Sequence, residues 1–345
     1  MRHKRGHSAG RIVLAVICVV LAIVLAAVLG TAFYMKHLLN QINYVDKETQ
    51  SYLSSEEVEQ FLATEEVEYQ DPTTQTLRDE DLDWGKNNTQ IGKTEQIINI
   101  LLIGQDSRSS TGRARSDTMI LMTINKDAKT ITLTSFLRDL YVQIPGYSNS
   151  KLNHTYAWGG FDLLNTTLEN NFGIHVDGNL EVNFERFSQL IDLLGGVDIE
   201  LTGAEAAVIN NSVGYEGVGK GMQHLNGEQA LVYARIRKLD SDFNRTGRQR
   251  AVLTALFQKF RTADVATMMD LLEEALPMLT TDMTQTELLG YAVELLPTLS
   301  EYTLVSQRVP ADGEYSFATI NGMSVVKADM DAARKLLEDT LGTDE

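Results

Sequence analysis

The sequence predicts an α/β fold in which a central mixed sheet carries helices on both faces. Three mostly apolar runs of strand length lie at residues 97–103, 118–124 and 130–136. Such runs are typical of strands buried on both faces of a sheet. Helical patterns then alternate with further strand-like segments, which favours helices on both sides of the sheet. One membrane-spanning helix is expected to precede this fold.

The elements follow in order along the chain. Residues 125–128 form the turn between the second and third apolar runs. Helices are predicted at residues 161–171, 184–194, 204–210, 227–232, 246–262 and 328–341. Further strands are predicted at residues 197–201, 302–309 and 323–326.

The N-terminal sequence predicts how the chain is oriented across a membrane. Residues 12–35 carry no charged side chain and are long enough to cross a bilayer as a helix. Four basic residues precede this stretch and an acidic segment follows it, so the positive-inside rule places residues 1–11 in the cytoplasm and the rest outside the cell. A cleaved signal peptide is the alternative, with a weak site at Gly30-Thr31-Ala32. Its apolar core would exceed the usual ~7–15 residues, which favours a retained anchor.

Residues 36–95 are rich in acidic residues and are interpreted as a stalk or an added module. A helix capped near Ser54 is predicted within them, and residues 71–92, which include few apolar residues, are interpreted as linker. We expect a solvated spacer here and a catalytic domain at 96–345. The net charge of -17 argues against nucleic-acid binding, since a phosphate backbone favours broad basic surfaces. Cys18 is the single cysteine, so an internal disulfide is impossible.

Basic residues cluster in residues 232–250 of this acidic chain. The cluster comprises Arg235, Arg237, Lys238, Arg245, Arg248 and Arg250. Guanidinium groups can grip phosphate oxygens through paired hydrogen bonds, so a pyrophosphate site is one interpretation. A solvated basic helix face is the other.

Two aspartates flank one loop at the ends of predicted strands. Asp106 follows the first strand and Asp117 opens the second, where ligands of open α/β sheets bind. Paired carboxylates with substrate phosphates suit magnesium, but these aspartates could equally cap turns or pair with arginines. Spacing alone leaves both interpretations open.

Two further residues that follow the third predicted strand are candidates for a chemical role. Arg138 follows the third strand, and we expect Asp139 to orient it through a salt bridge. His154 is a possible general base, but a hydrogen-bonded structural role is favoured because no Ser or Cys partner motif accompanies it.

These motifs together resemble the LytR-CpsA-Psr family of bacterial cell-envelope enzymes. The matching runs are GQDSR at 104–108, RSDTM at 115–119, Arg138-Asp139, KLNHTYA at 151–157, LNGEQALVYARIR at 225–237, Arg245 and Arg248-Gln249. They lie within residues 96–260. Leu137 departs from the family, whose members often have proline before the arginine. Beyond residue 260 the resemblance is weak.

The resemblance implies a reaction and a set of site residues. It implies that a glycopolymer of the teichoic acid or capsular polysaccharide class moves from undecaprenyl pyrophosphate onto peptidoglycan at the cell membrane, assisted by magnesium (or manganese in its place). Asp106 and Asp117 would hold the metal. The pyrophosphate would be bound by Arg108, Arg115, Arg138, Arg235, Arg237, Arg245 and Gln249. Four of these are candidate catalytic residues, namely Arg115, Arg138, Arg235 and Arg237.

A polyprenyl tail requires an apolar groove, and two helices offer candidate walls. Their apolar residues are Phe187, Leu190, Ile191, Leu194, Leu253, Leu256 and Phe257. Such stripes also occur in ordinary cores, so a plain core role is the alternative.

Two other functions are compatible with the family. A pyrophosphatase would use the same residues with water as acceptor. A transcriptional attenuator is disfavoured, because an 11-residue cytoplasmic tail is too short for a DNA-binding domain.

Overall fold

The computed structural model describes residues 34, 36–46, 50–63, 74–86, 90–91, 94–105, 114–237, 239, 242–262 and 265–342. Among these residues, no helix combines the length and apolar character needed to cross a membrane. The expected tail at 1–11 and nearly all of the expected membrane helix at 12–35 lie outside the described residues.

A seven-stranded mixed sheet forms the centre of the fold. Its strands, in chain order, are β1 (Asn43–Tyr44), β3 (Ile97–Gln105), β4 (Ser116–Asn125), β5 (Thr130–Phe136), β8 (Gly178–Asn183), β11 (Thr280–Thr281) and β12 (Thr303–Val309). Their order across the sheet is β1-β11-β8-β3-β4-β5-β12. β3 pairs parallel with β8 and antiparallel with β4, and β12 pairs parallel with β5.

Smaller strands form three accessory sheets. They are β2 (Gln75–Leu77), β6 (Tyr141–Val142), β7 (Ser150–Lys151), β9 (Val197–Leu201), β10 (Gly221–Leu225), β13 (Tyr315–Ile320) and β14 (Met323–Ala328). β9 pairs with β10, β6 pairs with β7, and β13 lies between β14 and β2. The predicted strands at 197–201 and 323–326 therefore exist, but outside the central sheet.

Nine α-helices lie within the described residues from Ser55 onward. They are α1 (Ser55–Ala63), α2 (Leu152–Phe172), α3 (Phe184–Leu193), α4 (Gly203–Val213), α5 (Gly227–Arg235), α6 (Asp242–Thr262), α7 (Val265–Ala275), α8 (Gln285–Leu295) and α9 (Met330–Leu341). α2 begins nine residues before the predicted helix at 161–171, and its axis is interrupted at Gly160, where φ is 68°. Glycine tolerates this left-handed conformation because it has no Cβ.

Helices cover both faces of the sheet, as predicted. Alternate residues of β3 point to opposite faces. Leu101 and Ile103 pack in the largest cluster with residues of α2 and α9. Ile98 and Ile100 pack on the other face, in a cluster that also includes Phe257 of α6 and Tyr291 of α8.

Mutually parallel strands of the central sheet end on the same side of it, which we call the strand-end edge. β3, β5, β8 and β12 all end at this edge, and β4, which is antiparallel to β3 and β5, begins there. Neighbouring strands are about 4.8 Å apart, so residues far apart in sequence meet there.

The expected spacer at 36–95 is wrong for its described parts, which pack onto the domain. β1 pairs with β11, and β2 pairs with β13. Val58 of α1 joins the main core, and Ile91 is fully buried and bridges to Ile174. These contacts bury apolar side chains that a solvated stalk would leave in water.

Candidate functional site

Three arginines converge on Asp117 at the strand-end edge of the sheet. Arg138 Nη1 lies 2.9 Å from Asp117 Oδ1, and Arg237 Nη2 lies 3.3 Å from the same oxygen. Arg245 Nη2 donates a hydrogen bond of 3.2 Å to the Asp117 carbonyl oxygen. β4, the segment after β5, the segment after α5 and the start of α6 thus supply one charged cluster.

The arginines differ in how firmly they are held. Arg138 Nε lies 3.3 Å from Asp139 Oδ2, and Lys151 Nζ lies 3.4 Å from the other oxygen of Asp139. This confirms the predicted orienting role of Asp139. Arg245 is 1% exposed, whereas the side chain of Arg237 is 47% exposed and faces solvent at the mouth of the site.

The carboxyl of Asp117 is kept ionised by this cluster. Burial alone would raise the pKa of Asp117, but the positive charges of Arg138, Arg237 and Arg245 outweigh it and lower that pKa below its usual value. The basic residues Arg138, Arg237, Arg245 and Lys151 outnumber the carboxylates of Asp117 and Asp139, so the site can accept further negative charge.

An apolar cavity of about 200 Å³ opens beside the cluster. It lies between β3, β4 and β8 on one side and α3, α5 and α6 on the other. Gly104, Thr118, Glu181 and Gln249 line it along with leucines. Oε1 of Gln249 is buried and has no hydrogen-bond partner among the described residues. A buried unpaired amide beside a cationic cluster is suited to a polar ligand group.

Most of the predicted lipid-contacting residues line cavities. Phe187, Leu190, Leu253 and Leu256 line the first cavity. A second cavity of about 260 Å³ is lined by Leu194 and Phe257 and shares Leu190 and Leu256 with the first.

Ile191 is the exception, since it lines neither of these two cavities. It is fully buried in a core cluster with residues of β9 and α5. For this residue the plain core role is correct.

The remaining predicted residues lie around the cluster or outside the described residues. Arg115 is exposed just before β4, and Arg235 is half-buried in the last turn of α5. Asp106 and Arg108 lie outside the described residues. Within the described ranges, no group of three or more His, Cys, Asp or Glu residues could hold a metal ion.

Glu181 on β8 is a residue that the sequence did not indicate. It accepts hydrogen bonds from the Gln105 side chain and the Tyr156 hydroxyl, and it lines the apolar cavity. Burial raises the pKa of Glu181, and the two hydrogen bonds and Arg186 offset this only in part. No strand was predicted at 178–183, so no signal drew attention to this carboxyl.

Two residues from the recognised motifs have structural roles. His154 is fully buried, with Nδ1 2.9 Å from Ser150 Oγ and its ring against Trp158. Arg248 is buried and donates from Nε to Glu205 Oε1 at 2.7 Å and from Nη1 to the Ile236 carbonyl at 3.1 Å. The favoured structural role of His154 is confirmed, and Arg248 braces α4 and the end of α5.

Known proteins resemble the chain in sequence and in structure. The polyisoprenyl-teichoic acid–peptidoglycan teichoic acid transferase TagT of Bacillus subtilis (strain 168) is 37% identical over 171 residues, which is 48% of this chain and 53% of that protein. The chain thus matches only about half the length of this relative.

Two solved structures share the architecture. One is TagT bound to LIIa-WTA, with a TM-score of 0.59 and 29% identity, covering 72% of this chain and 91% of that one. The other is the LytR-CPS2A-psr family protein YwtF (TagT) with bound octaprenyl pyrophosphate lipid, with a TM-score of 0.55 and 26% identity, covering 75% and 95%.

The family match extends well beyond the motifs. The LytR_cpsA_psr family model matches residues 56–340, which include nearly all of α1 and of the C-terminal helices as well as the Asp117 cluster. The chain belongs to the LytR_cpsA_psr family.

Proposed function

We propose that the chain is a membrane-anchored phosphotransferase that moves an anionic glycopolymer from undecaprenyl pyrophosphate onto peptidoglycan. One observation carries the proposal: Arg138, Arg237 and Arg245 meet at Asp117 beside a cavity lined by leucines. A pyrophosphate joined to a long isoprenoid requires this combination of cationic and apolar surfaces.

The transfer itself is a displacement at phosphorus. The oxygen of a peptidoglycan sugar hydroxyl forms a bond to the phosphorus that carries the polymer, while the bond from that phosphorus to the bridging oxygen breaks. Undecaprenyl phosphate leaves with the electron pair, and the hydroxyl proton passes to solvent. Because charge spreads over the phosphate oxygens in a loose transition state, fixed guanidinium groups provide much of the catalysis.

Magnesium, or manganese in its place, is the metal that we propose for this site. Asp117 offers an ionised oxygen ligand, and Asp106 is the expected second one. Magnesium commonly takes one or two carboxylates and completes its coordination with substrate phosphates and water, so a larger cluster of acidic residues is unnecessary. When bound, the metal would neutralise charge on the phosphate oxygens.

The known structures support the lipid-linked substrate. A family protein 26% identical to this chain is described with bound octaprenyl pyrophosphate lipid, and TagT is described bound to LIIa-WTA. The apolar run at residues 12–35 supports membrane anchoring, with the domain outside the cell, where no nucleotide is required because the pyrophosphate already carries the activation.

Transfer to peptidoglycan is tested with purified full-length protein and a lipid-pyrophosphate-linked glycopolymer, with and without peptidoglycan. We expect polymer to become attached to peptidoglycan, and chelation of divalent cations with EDTA to abolish attachment. Cleavage by water alone, with no attachment, would instead identify a pyrophosphatase.

The Asp117 cluster is tested by Asp117→Ala, which should reduce turnover on the order of 100-fold because it removes an organising charge at the phosphates. Asp198→Ala replaces an exposed aspartate on β9 that pairs with His224 of β10, and it should have little effect. Full activity of Asp117→Ala in the presence of EDTA would contradict the metal assignment.

The geometry of the guanidinium groups is tested separately by Arg138→Lys. Lysine keeps the charge but loses the planar fork that can bind two oxygens, so we expect turnover to fall about as far as in the aspartate variant. Arg78→Lys, at a solvent-exposed arginine, is the matched control. Normal kinetics of Arg138→Lys would show that charge alone is sufficient.

A further inference from the structure

Three aromatic side chains form a cluster on the β12 side of the Asp117 site. The rings of Phe243 and Tyr315 stack with centroids 4.2 Å apart and an interplanar angle of 25°. Phe317 meets both of them edge-on, at 6.2 Å and 5.8 Å. Phe243 is buried, but Phe317 is 54% exposed. We call Phe243, Tyr315 and Phe317 the aromatic platform.

The platform is joined to the phosphate-binding residues by short connections. Phe243 lies two residues before Arg245, which contacts Asp117. Phe317 pairs across the hairpin with Val326, whose N–H donates to the Asp139 carbonyl oxygen at 2.9 Å. Asp139 in turn pairs with Arg138. The platform therefore lies next to the segment that carries Arg138.

The order of strands places the platform opposite the apolar cavity. The cavity lies over β8, β3 and β4, whereas the platform lies beside the end of β12, where the guanidinium of Arg308 sits 4.6 Å from the centre of the Phe243 ring. Asp117 on β4 and Arg138 after β5 lie between them. In a displacement at phosphorus, the attacking and leaving oxygens are roughly in line. If the isoprenoid phosphate leaves toward β8, the acceptor has to enter from the β12 side.

We propose that the aromatic platform binds the acceptor glycan, with Phe317 stacking against a sugar ring and directing its hydroxyl toward the Asp117 cluster. This inference rests on the proposed function and specifies its acceptor subsite. The faces of aromatic rings carry partial negative charge, and they attract the slightly positive C–H groups of a pyranose ring.

Charge beside the platform favours the acceptor over the donor polymer. Tyr315 also lines a groove of about 420 Å³ whose lining includes the acidic residues Asp83, Glu314, Asp329 and Asp331 and the basic residue Lys327. Such a surface repels an anionic polymer, whereas sugar hydroxyls and amides can donate hydrogen bonds to it.

The test compares glycan binding, transfer and lipid-substrate affinity in full-length variants. Phe317→Ala should weaken retention on insoluble peptidoglycan stripped of teichoic acid about 10-fold and raise the KM for this acceptor similarly, as is usual for truncation of an anchoring aromatic. The KM for the lipid-linked donor should stay within about two-fold. Tyr215→Ala removes another exposed aromatic side chain, in the loop between α4 and β10. It should change neither the retention on peptidoglycan nor the KM for the acceptor.

Conservative variants separate stacking from simple apolar packing. Phe317→Tyr should behave as wild type, because it keeps the ring, whereas Phe317→Leu keeps apolar volume and should lose binding as the alanine variant does. Wild-type acceptor kinetics in Phe317→Leu or Phe317→Ala would overturn the proposal, as would loss of donor affinity in equal measure.

The transferase assignment can be refuted without refuting the glycan site. A wild-type protein that attaches no polymer, yet binds peptidoglycan in a manner that depends on Phe317, would refute the transferase assignment and retain the glycan site.

Discussion

Individual arginines of the 232–250 segment have different environments, and those environments set their roles. Arg237 is half-exposed at the Asp117 cluster, where a ligand can reach it. Arg248 forms a buried ion pair with Glu205 and also binds the Ile236 carbonyl. The first residue can serve binding, whereas the second holds elements together.

This difference predicts that substitution of Arg248 mainly lowers stability, whereas substitution of Arg237 mainly lowers activity. Arg248→Ala leaves Glu205 as a buried carboxylate without its partner, so the free energy of unfolding should fall by about 3 kcal/mol. Arg237→Ala should reduce turnover strongly but change the free energy of unfolding by less than about 1 kcal/mol. Urea denaturation and turnover assays on both variants measure this, and equal stability of the two variants would contradict the structural role of Arg248.

Glu181 gives the site a distinct response to pH. Because its pKa is raised in the folded state, folding favours the protonated form. Its contribution to stability is therefore fully present below the unfolded pKa of about 4.3 and is lost as pH rises through the folded pKa.

Glu181→Gln should remove this dependence, since glutamine does not titrate. We expect the difference in free energy of unfolding between the variant and wild type to change in favour of the variant as pH rises from about 4 toward neutrality. Urea denaturation over this pH series provides the measurement. A difference that stays constant with pH would show that the carboxyl titrates alike in both states.

At the scale of elements, α3 and α6 are the walls of the apolar cavities. Leu190 of α3 and Leu256 of α6 are shared by both cavities, so each lies where the two spaces adjoin. Leu190 is only partly buried, so it can be replaced with less harm to the core than Leu256, which is 8% exposed.

Leu190→Gln should therefore impair lipid use more than folding. We expect the KM for the lipid-linked donor to rise about 10-fold, since a polar amide replaces apolar contact with the isoprenoid. Leu289→Gln, on α8 and away from both cavities, should leave this KM unchanged. If Leu190→Gln lost stability and donor affinity in the same proportion, the cavity would be ordinary core.

At the scale of the whole molecule, the N-terminal segments complete the domain. β1 extends the central sheet through β11, β2 extends the sheet formed by β13 and β14, and α1 contributes Val58 to the main core. Leu38, Leu39 and Ile42 are also buried. Each fully buried aliphatic side chain contributes about 1.5–3 kcal/mol, so together they rival the total stability of about 5–15 kcal/mol typical of a domain.

A chain beginning at residue 96 should thus fail to unfold cooperatively, whereas a chain beginning at residue 36 should show a single thermal transition. Circular dichroism during heating distinguishes the two outcomes. Equal melting temperatures would mean that the segment before residue 96 adds nothing to the fold.

The sequence alone determined the elements whose pattern is local. The apolar runs that became β3, β4 and β5 were evident because strands buried on both faces are continuously apolar. The arginines of residues 232–250 were evident because so many guanidinium groups within one short run stand out in a chain of charge -17, and Asp117 was evident from its place at the start of a predicted strand.

Only the tertiary structure decided which elements meet. β8 reads Gly-Asn-Leu-Glu-Val-Asn, with too few apolar residues to signal a central strand, and its place beside β3 brings Glu181 to the cavity. Residues 36–95 pack onto the domain because other parts of the chain offer them strand edges and apolar surface, as in the pairing of β1 with β11 and of β2 with β13. Periodicity records whether a residue is buried, whereas the partner against which it is buried is set by long-range packing.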